Sequence, residues 1–186
     1  MTLPRLAGLG AIVLVLGSLS CARPGRVAPA LAACPAPRQE TGEWRPVAES
    51  AAVSFRIPAD FVEQAREADA RRWYLHGDFA EYILAGFIRS SSPLQAFGRA
   101  PAVGMMEMTQ CIDSIGGREA LVQAWRTRGG TFLNGRRLDR YDVFAVVAVD
   151  PELRFYIAGG THRRDTQKVA LAVVRTIAIA PGSPPD

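Results

Sequence analysis

Residues 143–160 read "VFAVVAVDPELRFYIAGG", two apolar runs separated by Asp150, Pro151 and Glu152. Each run is short, rich in β-branched and aromatic residues, and bounded by turn-forming residues. That combination favours strands over helices. The Asp-Pro-Glu break suits a tight turn, so residues 141–150 and 153–161 are expected as neighbouring antiparallel strands. Immediately downstream, "DTQKVALAVVRTI" (165–177) places Val169, Ala172, Val173, Thr176 and Ile177 at helical spacing, with Asp165 or Thr161 as the expected N-cap.

Reading upstream gives more strands. "GMMEMTQCI" (104–112) and "REALVQAWRT" (118–127) flank the turn "DSIGG" and are expected to form a hairpin. "TRGGTFLNGRRLDR" (127–140) reads as a glycine-rich, basic connection, and residues 89–104 read as a long surface loop. "AVSFRIP" alternates Val53, Phe55 and Ile57 with polar residues and stops at Pro58, while "WYLHGDF" and "AEYILAGFI" supply two further strands. The charged stretch "FVEQAREADARR" (61–72) is expected as a short helix with Phe61, Ala65 and Ala68 inward. The sum is an α+β fold: an antiparallel β-sheet with one or two helices packed on it. No strand-helix alternation of the nucleotide-binding type occurs, and no cofactor is expected.

The N-terminus has a different character. "MTLPRLAGLGAIVLVLGSLSC" carries one basic residue, Arg5, followed by an apolar run from Leu6 to Ser20. The run is short for a membrane span of ~20 residues and matches a secretory signal better. An uncleaved anchor helix is the alternative. The segment resembles a bacterial lipoprotein signal, in which the acylated cysteine follows a small residue at the end of the apolar run. Two cysteines compete for that role. Cys34 has the better preceding residues, Leu31-Ala32-Ala33, but Arg23 and Arg26 separate it from the apolar run; Cys21 follows that run directly. Cysteine parity favours Cys21 as well. With Cys21 acylated, Cys34 and Cys111 remain as an even pair for a disulfide in an oxidising compartment. Ordinary signal-peptidase cleavage at Ser20-Cys21-Ala22 or Ala30-Leu31-Ala32 gives a soluble secreted form and keeps the same pair. The expected organisation is a signal peptide over 1–20, a flexible Pro/Ala-rich tether over 21–43, a single domain over 44–180 and a disordered tail over 181–186.

Charge excludes one class of partner. Lysine and arginine total 22 against 18 acids, a net charge of +4. The cations are spread along the chain, and Lys168 is the only lysine. No basic stripe or base-reading motif is present, so no nucleic-acid partner is expected.

The order "VSFRIPADF" (53–61), "IGGREALVQAW" (115–125), "VFAVVAVDPELRFYIAGG" and "VALAVVRTI" (169–177) resembles the Mog1/PsbP-like α/β sandwich over residues 44–179. Bacterial lipoproteins of unknown function are often built on that plan. Its named members include a nuclear-transport factor and a photosystem extrinsic subunit, which implies a non-enzymatic accessory role. The resemblance lies in spacing and hydrophobic pattern, and no site residue carries over from it.

Candidate chemistry is sparse. "HGDFAE" places His76, Asp78 and Glu81 close together, a weak metal motif read as a solvated turn before a strand, so no metal site is expected. No G-x-S-x-G elbow exists, and Ser90, Ser91 and Ser92 read as turn residues. In "GGTHRRD" (159–165), Gly159 and Gly160 would expose backbone N–H groups before a helix, with Arg163 and Arg164 beside them. These four residues are the candidate anion-binding site, which Arg126, Arg128, Arg136 and Arg137 could extend. Trp73, Tyr74, Trp125, Phe132, Tyr141 and Phe155 are expected in the core. The sequence thus points to an extracytoplasmic, membrane-anchored lipoprotein with an unknown envelope protein as partner. It is expected to act as a non-catalytic binding or accessory module. A small secreted hydrolase or transferase, or a soluble periplasmic binder of an anionic ligand, are the rivals.

Overall fold

The structure is a computed structural model describing residues 34, 35, 37, 42–64, 70–75, 77–99 and 102–180. The expected signal peptide, Cys21, most of the expected tether, His76 and the tail at 181–186 lie outside the described residues. Among the described residues there are ten strands and one α-helix: β1 (Trp44–Ala48), β2 (Val53–Pro58), β3 (Phe61–Glu63), β4 (Ala70–Leu75), β5 (Asp78–Arg89), β6 (Met105–Ile115), β7 (Arg118–Leu133), β8 (Arg136–Ala148), β9 (Leu153–Thr161), α1 (Arg164–Arg175) and β10 (Ala178–Ile179). The fold is α+β. Among the described residues, no helix is long and apolar enough to cross a membrane.

Seven strands form an antiparallel sheet in the order β3-β4-β5-β9-β8-β7-β6, and β1-β2-β10 form a second, smaller antiparallel sheet. The small sheet and α1 cover one face of the large one. Period two along β2 sends Val53, Phe55 and Ile57 inward. Phe55 meets Trp73 of β4 edge to face and lies 6.0 Å from the Phe155 ring of β9. All three rings are essentially without solvent contact, and burial of each side chain contributes roughly 1.5–3 kcal/mol. Leu171, Val173 and Val174 of α1 join the same core. The opposite face of the large sheet has a smaller cluster, Leu94, Leu121 and Val146. Its Leu94 comes from a 3-10 turn, Leu94–Phe97, inside the expected loop.

Four expectations are corrected. No helix starts at Phe61: Phe61–Glu63 and Ala70–Leu75 pair antiparallel, with Phe61 opposite Leu75. Phe61 and Trp73 are both buried, so at the two ends of the expected helix tertiary burial overrides helical composition; its middle, 65–69, lies outside the described residues. Residues 127–140 are not a loose connection either. β7 and β8 run on as a long hairpin, turning at Asn134 and Gly135, both at positive φ. Asn-Gly with this geometry matches the twist of paired strands. Phe132, near that tip, is 72% exposed and belongs to no core. At α1, the N-cap is Arg163, with no side-chain cap. Thr161 Oγ1 instead accepts from the Arg163 N–H at 2.9 Å, tightening the turn that leads into the helix.

Candidate functional site

At the start of β5, Gly77 adopts a positive φ and Asp78 follows it. Asp78 Oδ1 accepts the Ala80 N–H at 3.0 Å, which orients the carboxylate with its own backbone. Glu81 shares the inward face of β5 with Ile83 and Ala85, so the period of the strand carries a carboxylate into the core. It is 0% exposed. At the far end of β9, the chain turns toward α1 and delivers His162 to the same place. His162 Nε2 lies 3.8 Å from Asp78 Oδ2, and its Nδ1 lies 3.7 Å from Glu81 Oε1. Arg163 Nε approaches Glu81 Oε1 at 3.4 Å from the solvent side.

These separations are too long for good hydrogen bonds. Both Glu81 oxygens and His162 Nδ1 are buried with no hydrogen-bond partner. A buried carboxylate in that state is costly unless cations or donors compensate it. The expectation of a solvated turn holds at Gly77, an exposed turn residue just before the strand, but not at Glu81, which is buried. His162, distant in sequence, joins Asp78 and Glu81, while His76 lies outside the described residues. The period-two pattern of "AEYILAGFI" held a signal for Glu81, since it puts this acid in line with Ile83, Ala85 and Phe87. Nothing in the sequence pointed to His162.

The four residues of the candidate anion site are placed differently from expectation. Gly159 and Gly160 are interior to β9, paired with Ile83 and Tyr82 on one side and with Val143 and Asp142 on the other. Their backbone groups serve the sheet and are not presented to a ligand at a helix start. Each is glycine for want of space. A Cβ on Gly159 would stand 2.8 Å from Ala170 Cβ of α1, and one on Gly160 would stand 2.6 Å from the Tyr82 ring on the other face. Arg163 faces Glu81, and Arg164 Nη2 donates to Glu107 Oε2 at 2.9 Å. Arg126 is likewise paired with Asp139 and Glu107, which raises its own affinity for a proton and lowers that of Asp139 through their hydrogen bond. Ser90 and Ser92 do the work of turn residues: Ser90 Oγ accepts the Ser92 N–H.

Behind Gly160, Arg140 donates to Tyr82 Oη and to Asp142 Oδ1. Burial raises the Asp142 pKa, with Arg140 pulling the other way. Gln167 of α1 ties the helix to the sheet by donating to the carbonyls of Trp125 and Asp142.

Cys34 and Cys111 form a disulfide, with Cα atoms 5.1 Å apart. Cys111 is on β6, the edge strand of the large sheet, and points into the core. Two grooves flank α1. One of about 440 Å³ is lined by Trp44, Phe61, Leu75, Val169 and Ala172 among others. The other, of about 460 Å³, is lined by Pro35, Trp125, Arg126, Arg164 and Lys168 among others.

No protein-family model matches the chain, and no curated protein matches it. Among solved structures, a crystal structure from Bacteroides thetaiotaomicron VPI-5482 at 1.50 Å resolution is similar over 76% of this chain, with 10% sequence identity and a TM-score of 0.48. The chain spans about half, 49%, of the length of that structure.

Proposed function

We propose that the protein is an extracytoplasmic lipoprotein, anchored to a bacterial membrane through acylated Cys21. Its α+β domain, of the Mog1/PsbP-like kind, serves as a non-catalytic binding or accessory module for an envelope partner. The observation that carries this reading is the Cys34–Cys111 bridge. A disulfide belongs to an oxidising compartment, and this one consumes two of the three cysteines, leaving Cys21 as the single candidate for a lipid. The groove lined by Trp44, Phe61, Leu75 and Val169, with Glu43 and Asp60 beside them, is a mainly apolar seat on the domain. Concave apolar surface of this size is where binding modules hold their ligands.

Metabolic labelling with a tagged fatty acid, normalised to protein by immunoblot, tests the anchor. Wild type and Cys34→Ser are expected to take up label, and Cys21→Ser is expected to lose it. Label that survives Cys21→Ser, or a wild-type chain that takes up none, overturns the reading.

A further inference from the structure

We propose that Asp78, Glu81 and His162 form a binding site for a divalent transition-metal ion, with Zn²⁺ the best chemical match. One donor atom from each residue lies within 4.8 Å of the other two. Asp78 Oδ2 stands 3.8 Å from His162 Nε2 and Glu81 Oε1 stands 3.7 Å from His162 Nδ1, too wide for hydrogen bonds, and only one of the two ring nitrogens can face a given ion. Two ligands each held ~2.1 Å from a shared ion at tetrahedral to trigonal angles stand about 3.4–3.7 Å apart. The set, whose donor atoms lie within 4.8 Å of one another, is somewhat wider than that spacing and closes onto an ion by a side-chain adjustment of about 1 Å.

The independent observation is Glu81 itself. Its carboxylate is fully buried, aimed into the cluster, and without a hydrogen bond at either oxygen; its one cationic neighbour, Arg163, stands off Oε1 at 3.4 Å. A metal ion would satisfy both the charge and the lone pairs that receive no hydrogen bond from the protein. Two carboxylates and a neutral imidazole carry −2 against the ion's +2. The mixed oxygen and nitrogen set favours a borderline ion such as Zn²⁺ over Mg²⁺ or Ca²⁺, which prefer oxygen alone. Three protein ligands leave a coordination position for water or another ligand.

Arg163 is the competitor. Its guanidinium faces Glu81 at 3.4 Å, and its side chain is 63% exposed, free to turn into solvent. At equal dielectric, a doubly charged ion at ~2.1 Å attracts the carboxylate about three times as strongly as a single charge at that distance, before hydration is counted. The metal therefore displaces the arginine, which acts as counter-charge in the empty site. This assignment does not depend on the anchoring at Cys21.

Equilibrium dialysis of the untagged full-length protein against ZnCl₂, with bound metal read by mass spectrometry, tests it. One Zn²⁺ per chain is expected. Glu81→Gln, His162→Gln and Asp78→Asn are each expected to weaken binding by ~10–100-fold, whereas Arg163→Ala tightens it by removing the competitor. A merely structural ion-pair cluster has no such opposite response. Asp78 lies at the solvent side of the cluster, so Asp78→Asn remains informative if Glu81→Gln fails to fold. Absence of stoichiometric Zn²⁺ in the wild type overturns the proposal. So does binding that survives both His162→Gln and Asp78→Asn.

Discussion

Gly159→Ala tests how the helix is seated on the sheet. The added methyl would stand 2.8 Å from Ala170 Cβ, whereas carbon atoms rest at about 3.5–4.0 Å, so α1 must retreat by ~1 Å. Retreat is resisted, because Gln167 is hydrogen-bonded to two sheet carbonyls and Arg175 is paired with Asp113. Overpacking of this kind costs ~1–3 kcal/mol, offset by ~0.5–1 kcal/mol from replacing a strand glycine. The net loss is at most about 2.5 kcal/mol. Ala170→Gly alone loses a buried methyl and helix propensity, about 2 kcal/mol together. In the double variant the new methyl occupies the space of the old one. It is therefore expected to be more stable than Ala170→Gly by more than ~1 kcal/mol, with a coupling energy near −2 kcal/mol. Urea denaturation followed by tryptophan fluorescence, with the disulfide intact, measures all four corners of the cycle. Additivity within ~0.5 kcal/mol would refute the close-packing account of Gly159.

Two further outcomes are expected. Reducing the Cys34–Cys111 bridge, which spans a separation of 77 residues, should lower unfolding stability by about 4.5 kcal/mol in the chain-entropy model and raise the denaturant slope; coincident urea curves with and without reductant would contradict this. Glu63 has a pKa lowered from 4.5, first through its hydrogen bonds with Arg71 and against the effect of burial. Its contribution is therefore present above the unfolded value and is lost as pH falls through the lower folded value. For a partly exposed pair it amounts to no more than about 1 kcal/mol. Glu63→Gln should flatten the acid limb of stability against pH, and an unchanged limb would show that this pair is not what titrates there.

Much of the architecture is legible in the sequence because local pattern and tertiary burial agree there. The strand expected at 153–161 is β9, and the helix expected over 165–177 is α1 within two residues at either end. Where the two disagree, sequence reading fails. Residues 61–72 have a helical composition, yet Trp73 and Phe61 are pulled into the core of a sheet. Residues 127–140 have glycines that read as slack. Gly129 instead sits where the register of β7 against β8 shifts, between Thr127 and Thr131, and Asn134-Gly135 closes the hairpin. That pair was the available clue. The disulfide followed from cysteine parity alone. The Asp78–Glu81–His162 cluster did not, because it depends on β5 and the β9–α1 junction being neighbours, which no local pattern encodes.

The bridge also sets how the domain bears load. A pull applied at Cys34 passes through the disulfide straight to Cys111 on the edge strand β6, bypassing β1 to β5. The 77 residues of separation, up to ~270 Å of contour at ~3.5 Å per residue, are withheld from extension until the bond is reduced. Under oxidising conditions, tension reaching Cys34 from the N-terminal side is carried by covalent bonds to β6, and the first half of the domain is mechanically short-circuited.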